Sequence, residues 1–141
     1  NTYPVSLSTV AERAWENVES FDAELRLDSD VTVDADPDRL QQALENLFRN
    51  SIEHGGPEVV VTAGGLENGD GFYVEDDGPG IPVSDREAVF EWGFSGGSGS
   101  GLGLAIVESV VKGHDWEITA EESSEGGARF EITVTNGEND G

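Results

Sequence analysis

Apolar residues recur along this chain with two different periods. Between residues 6 and 20, Val10, Ala14, Trp15 and Val18 fall on one side of a helix. Residues 23–33 alternate apolar with polar, which predicts two short strands around Asp28, Ser29 and Asp30. A second helix follows. Asp36 is a good N-cap and Pro37 suits the first helical position. Leu40, Ala43, Leu44, Leu47 and Ser51 then draw a core-facing stripe that stops near Gly55, Gly56 and Pro57.

Residues 58–63 and 71–76 read as strands joined by a hairpin-type connection over Gly64–Asp70. Residues 83–100 hold no stable period and predict a mobile lid with a short helix inside. Leu102–Gly113 is a helix ended by glycine. Residues 116–121 and 128–135 form a closing hairpin around Gly126 and Gly127, and the polar tail 136–141 reads as disordered. No internal repeat is present. The pattern predicts an α/β fold, a two-layer α/β sandwich with a mixed sheet of about five strands and three main helices on one face.

With 141 residues the chain is one domain of ordinary size. It contains no cysteine, so disulfide frameworks and thiol chemistry are excluded. It also contains no methionine, even at position 1, and so reads as a piece of a longer protein. No apolar run approaches the roughly 20 residues of a membrane span, and no signal peptide is visible. This piece is expected to make no membrane contact, although its parent could be membrane-anchored.

Charge changes the picture more. Thirty acidic residues stand against seven basic ones, for a net −23. Nucleic acid is excluded as a partner, because phosphate binding needs the opposite sign. An acidic balance of this size suits a high-salt cytoplasm, where self-repulsion is screened.

Three short runs carry candidate chemistry. Asn46–Asn50 offers two side-chain amides one helical turn apart, on one face. Mg²⁺ favours hard oxygen ligands completed by waters and phosphates, and an amide oxygen serves without adding negative charge. Two exposed helix asparagines are the plain alternative, but asparagine is a poor helix former. Asp76–Gly80 is a glycine turn after a strand, led by a carboxylate able to accept from an adenine amine, while Gly78 and Gly80 let main chain approach the ring. An ordinary turn and Asp77 compete for this role; the alternation of Val74 and Asp76 points Asp76 inward. Gly99, Gly101 and Gly103 open a helix whose free N–H groups favour phosphate. Leu102, Leu104, Ile106 and Val107 anchor that run to a core, which argues against a linker.

In their order and spacing these runs resemble the catalytic and ATP-binding domain of sensor histidine kinases, a Bergerat-fold module. Residues 36–56 resemble that family's N box, 74–82 its G1 box, 89–95 its F box and 97–104 its G2 box. The resemblance covers residues 5–135 and implies ATP and Mg²⁺ as ligands. It assigns Asn46 and Asn50 to the metal and phosphates and Asp76 to adenine. It places Glu53, His54, Gly78, Gly80, Ile81, Phe94, Ser98, Gly99, Ser100, Gly101, Leu102, Gly103 and Leu104 around the nucleotide, with Phe90 and Phe94 positioning the lid. The implied partners are a phosphoacceptor helical hairpin of the same protein, whose dimerising helices would precede Asn1, and the receiver domain of a response regulator. The implied location is cytoplasmic.

Two positions depart from the family pattern. Glu53 and Ser95 stand where basic residues are frequent, and Arg49, Arg86 and Lys112 are the nearest cations by sequence. Phosphate charge then falls mainly to the metal. ATPases and serine kinases of the same fold carry a glutamate where Asn46 stands, as base for a poor nucleophile. Glu45 is rotated about 100° around the helix and cannot replace it. An imidazole needs less help, which favours transfer to histidine over hydrolysis. Neither His54 nor His114 stands in the His-acid-x-Arg setting of the phosphorylated helix, so the acceptor lies elsewhere. A same-fold ATPase or serine kinase and a non-catalytic nucleotide-binding module are the alternatives.

Overall fold

The chain runs β1 (Tyr3–Ser6), α1 (Leu7–Glu16), β2 (Glu24–Leu27), β3 (Thr32–Ala35), α2 (Pro37–Gly55), β4 (Val60–Gly65), β5 (Gly71–Asp76), α3 (Gly103–Gly113), β6 (Glu117–Glu122) and β7 (Ala128–Thr133). This computed structural model describes residues 2–18, 22–56, 58–66, 70–78, 103–122 and 126–134. The expected lid at 83–100 and the tail at 136–141 lie outside the described residues.

Both long N-terminal helices begin where side chains meet their free N–H groups. The Asp36 carboxylate accepts from the N–H groups of Asp38 (3.0 Å) and Arg39 (3.3 Å), with Pro37 in the first turn. The first turn of α1 is capped by two segments: Ser6 Oγ accepts from the Thr9 N–H, and Asp30 Oδ1 accepts from the Ser8 N–H at 3.0 Å. The Leu7 N–H donates to the Val31 carbonyl at 2.9 Å. Helix α2 stops at Gly56, whose φ of +97° a side chain would strain.

Five strands form the mixed sheet in the order β2-β4-β5-β7-β6, with β2 parallel to β4 and the other pairs antiparallel. The two strands expected within residues 23–33 do form, but they do not pair with each other. Strand β2 joins the large sheet, whereas β3 pairs with β1 in a separate two-stranded ribbon. Strand β1 is not legible in the apolar pattern, because its four residues are exposed or half-buried and carry no strong alternation.

All three helices cover one sheet face. Val61, Val74, Phe72, Phe130 and Ile132 from the sheet pack with Leu7, Leu40, Leu44, Phe48 and Val107 from the helices, all essentially inaccessible to water. Trp15 meets Phe48 edge-on at 5.3 Å and ties α1 to α2. The opposite face carries a polar lattice instead. Arg129 lies 4.0 Å from the Tyr73 ring and bonds Glu75 (2.8 Å) and Glu131 (2.7 Å), while the Tyr73 hydroxyl donates to Asp28 at 2.8 Å. Burial, and then the bond to Asp28, push the Tyr73 phenol up to about 12.

The run of α2 along the sheet sets up the site. Its first turn lies beside His114, which accepts from the Asp36 N–H at 3.1 Å and stacks on Trp116; Trp116 in turn touches Phe72 near the start of β5. Its last residue, Gly55, lies against Gly78, just beyond the end of β5. Helix α2 therefore runs parallel to β5, and its C-terminal turns flank Asp76.

Candidate nucleotide site

Asp76 ends β5 and is 6% exposed, on the same side as Val74. A buried carboxylate needs compensating donors, and here main chain supplies them. Oδ1 accepts from the Gly78 N–H at 3.0 Å and from the Ala128 N–H at 3.1 Å. The second donor comes from β7, fifty-two residues away, and the approach depends on Gly127. A Cβ on Gly127 would collide with the Asp76 carbonyl oxygen and lie 2.5 Å from Oδ1; one on Gly78 would lie 2.7 Å from the Gly55 Cα. Asp77 has a different task. It is exposed, and its N–H and carboxylate both bond Val60, at 3.3 and 2.9 Å, holding the start of β4.

Asn46 and Asn50 are half-buried on one strip of α2 that continues to the exposed Glu53. Asn46 Nδ2 donates to the Gln42 carbonyl at 2.8 Å, and its Oδ1 accepts from the Arg49 guanidinium at 3.3 Å. Arg49 thus stands at the amide end of the strip, although it occupies neither of the two slots where a cation is frequent. Glu45 faces elsewhere. Its Oε2 accepts from Asn17 of the α1 end (2.9 Å) and from Gln41 (3.0 Å), so it is held toward α1. At His114, Nε2 accepts from Asp36 and Nδ1 donates to the Val110 carbonyl at 2.9 Å, so both ring nitrogens are engaged.

Leu104 is buried in α3, which packs against α2. Gly103 begins the same helix. Gly80, Ile81, Phe90, Phe94, Ser98, Gly99, Ser100, Gly101 and Leu102 lie outside the described residues, as does the His54 side chain. Two contributors to the surroundings of Asp76 were not legible in the sequence: Gly127 and Ala128 read only as a hairpin. The doubled glycine at 126–127 was the available signal, since a turn with one left-handed residue needs only one.

Residues 35–138 match the family model of histidine kinase-, DNA gyrase B- and HSP90-like ATPases. The chain belongs to this family. It is 37% identical over 128 residues to the signal transduction histidine-protein kinase AfsQ2 of Streptomyces coelicolor, a match covering 86% of this chain and 23% of AfsQ2. Among solved structures, the mycobacterial sensor histidine kinase MprB superposes with a TM-score of 0.77 at 27% identity, covering 95% of this chain and 97% of that one. The ATP-binding domain of PrrB from Mycobacterium tuberculosis gives 0.73 at 28% identity, covering 95% and 96%. Within the family, the chain is a histidine kinase-type ATP-binding catalytic domain with the expected α/β sandwich. It spans 22%, 23% and 32% of the first three curated relatives it matches.

ATP suits the donor set of this family member: a buried acceptor at one end of α2 and amide oxygens along its exposed strip. Among the described residues no group of three or more His, Cys, Asp or Glu side chains could hold a metal ion. The side-chain amides of Asn46 and Asn50 carry hard oxygens, the donor type that suits a hydrated divalent ion. Among the described residues no helix is long and apolar enough to cross a membrane.

Proposed function

We propose that this chain is the phosphoryl-donating domain of a two-component sensor kinase. It binds Mg²⁺-ATP and passes the γ-phosphoryl group to a histidine on a helical hairpin of the same protein, from which a receiver domain takes it. The observation that carries this reading is the Asp76 carboxylate, buried against two main-chain donors at the end of the helix that bears Asn46 and Asn50.

In this reading Asp76 accepts from the adenine amine. Asn46 and Asn50 orient the metal and the phosphates, and the N–H groups of residues 99–103 receive phosphate oxygens. A divalent ion held by Asn46 and Asn50 would supply charge neutralisation to the phosphates when bound. An imidazole nitrogen of the acceptor forms the new P–N bond as the bond from Pγ to the ADP oxygen breaks. ADP leaves with that electron pair, and the imidazole proton passes to solvent. No general base is required of this chain, which agrees with asparagine at position 46 and with Glu45 held toward α1. The working compartment is cytoplasmic and, given the net charge of −23, rich in salt.

Calorimetric titration with an ATP analogue in molar KCl and Mg²⁺ tests this reading. Asn50→Ala should remove most of the Mg²⁺-dependent affinity, and Asp76→Ala should abolish the preference for adenine over guanine. At low salt the folded signal should fall. Wild-type affinity in both variants overturns the site, and robust ADP release without an acceptor hairpin overturns the transfer reading in favour of an ATPase.

A further inference from the structure

Helix α2 runs out into two glycines, and only one of them has a conformational reason. Gly56 carries the left-handed φ of +97° that stops the helix. Gly55 is the last residue of α2, and its φ is not positive. A helix favours alanine over glycine there, so the stop alone does not account for a second bare residue.

Space accounts for it. A Cβ on Gly55 would lie 2.5 Å from Val59 Cγ2, 3.0 Å from Val59 Cβ and 3.6 Å from the Gly78 Cα. Val59 does not yield readily. It is 3% exposed, and its β-branched side chain is stiff. Its N–H donates to the Gly56 carbonyl at 3.2 Å, and its carbonyl accepts from the Glu24 N–H at 3.0 Å. The next residue, Val60, is bound twice by Asp77, which stands between Asp76 and Gly78. The start of β4 is therefore fixed to β2 and to the turn after β5, and the end of α2 is the part that gives. Ordinary carbon contact needs about 3.5 Å, so a methyl group on residue 55 displaces that end by about 1 Å. Asn50 is five residues back, about 7.5 Å along the helix, and shares in the shift. Asp76 stays where the Gly78 and Ala128 N–H groups hold it.

We propose that Gly55 is a positioning residue for the nucleotide: it sets the span between the Asp76 acceptor and the amides of Asn46 and Asn50. This inference deepens the nucleotide reading above and rests on it. Gly55 acts through the placement of the helix rather than on the ligand. Its missing side chain lets one molecule reach both ends at once, with its base at Asp76 and its phosphates at the amides. Misplacing one end by a fraction of an ångström spares a ligand that uses one end and penalises a ligand that uses both.

The test is an NMR titration in molar KCl and Mg²⁺ with two ligands, adenosine and ADP, on wild type, Gly55→Ala and Gly55→Ala/Val59→Ala. Gly55→Ala should bind adenosine within about twofold of wild type and ADP about tenfold more weakly, the loss of one charge-assisted contact. The double variant removes the Cγ2 overlap and leaves a Cβ-to-Cβ approach of 3.0 Å. Its ADP affinity should return to within about threefold of wild type, because the two residues are coupled through one contact. Equal loss of both ligands in Gly55→Ala, unchanged ADP affinity, or no recovery in the double variant overturns the inference and leaves the nucleotide reading intact. Amide spectra report folding in the same experiment. A Gly55→Ala chain that does not fold also overturns the inference, since the glycine then serves the fold and not the span. Wild type that binds ADP but not adenosine overturns it too, since the Asp76 end then holds no base by itself. Failure of wild type to bind ADP overturns both readings.

Discussion

The two ends of the candidate site are built by opposite means. At the Asp76 end the polar group is buried, its donors are main-chain N–H groups from the turn after β5 and from β7, and the fit depends on bare glycine. At the Asn46 end the polar groups are half-exposed side chains on one helix, and Asn46 bonds neighbours three and four residues away. The first end is a product of tertiary folding and exists before any ligand arrives. The second is local, adds little to the fold, and is free to exchange its contacts for a ligand. A reader of a flat base benefits from the first kind of construction, and a clasp for a hydrated ion and a flexible triphosphate from the second.

This contrast predicts opposite signs for substitutions at the two ends. Gly127→Ala forces a methyl group into the Asp76 carbonyl and carboxylate. It should cost about 3 kcal/mol of unfolding free energy, at the upper range for overpacking, and abolish nucleotide binding. Its neighbour is the control. Gly126 has φ +87° and open space around its missing Cβ, so Gly126→Ala should cost only about 1 kcal/mol of backbone strain and leave binding intact. At the other end, Asn46→Ala exchanges a poor helix former for the best one and should stabilise the fold by about 0.5 kcal/mol, while weakening Mg²⁺-dependent binding. Denaturant titration of the three variants in molar KCl checks all of this. Equal costs at 126 and 127, or a destabilised Asn46→Ala, would show that the two ends are not built differently.

The same division governs what could be read from the sequence. Helix α2 was legible from cap to stop, because Asp36, Pro37, the stripe from Leu40 to Ser51 and Gly55 and Gly56 are all local signals. Strand alternation and the family pattern favoured Asp76 over Asp77; Asp76 is buried, and Asp77 bonds Val60. What could not be read was whatever depends on two distant segments meeting. The sheet order, the partition of β2 and β3 between two sheets, the Ala128 donor and the contact of Gly55 with Gly78 involve pairings that periodicity does not encode. Ser51 shows the limit most clearly. Its spacing placed it in the core, where it is, but spacing says nothing about a hydroxyl left there without a partner.

A smaller effect sharpens the comparison, because another carboxylate accepts from two main-chain N–H groups in an exposed setting. Asp30 Oδ1 accepts from the Ser8 and Val31 N–H groups, as Asp76 Oδ1 accepts from two, but Asp30 is exposed. The Ser8 N–H is the main cause that holds the Asp30 carboxyl below its ordinary 3.8, against the opposing pull of desolvation, with Ser6 and Val31 adding to it. A lowered carboxyl contributes stability that is fully present above the unfolded value and disappears as pH falls through the folded one. Asp30→Asn should therefore lower stability by only about 0.5 kcal/mol near neutral pH, since solvent screens an exposed cap. The gap between variant and wild type should close as pH falls below about 4. Thermal melts of the two proteins across pH 3 to 7 measure that gap (~4 units of pH, spanning the carboxylate range). A pH-independent gap would mean that the Asp30 charge contributes nothing and that geometry alone caps α1. A gap as large as that of Gly127→Ala would mean that burial is not what separates the two carboxylates.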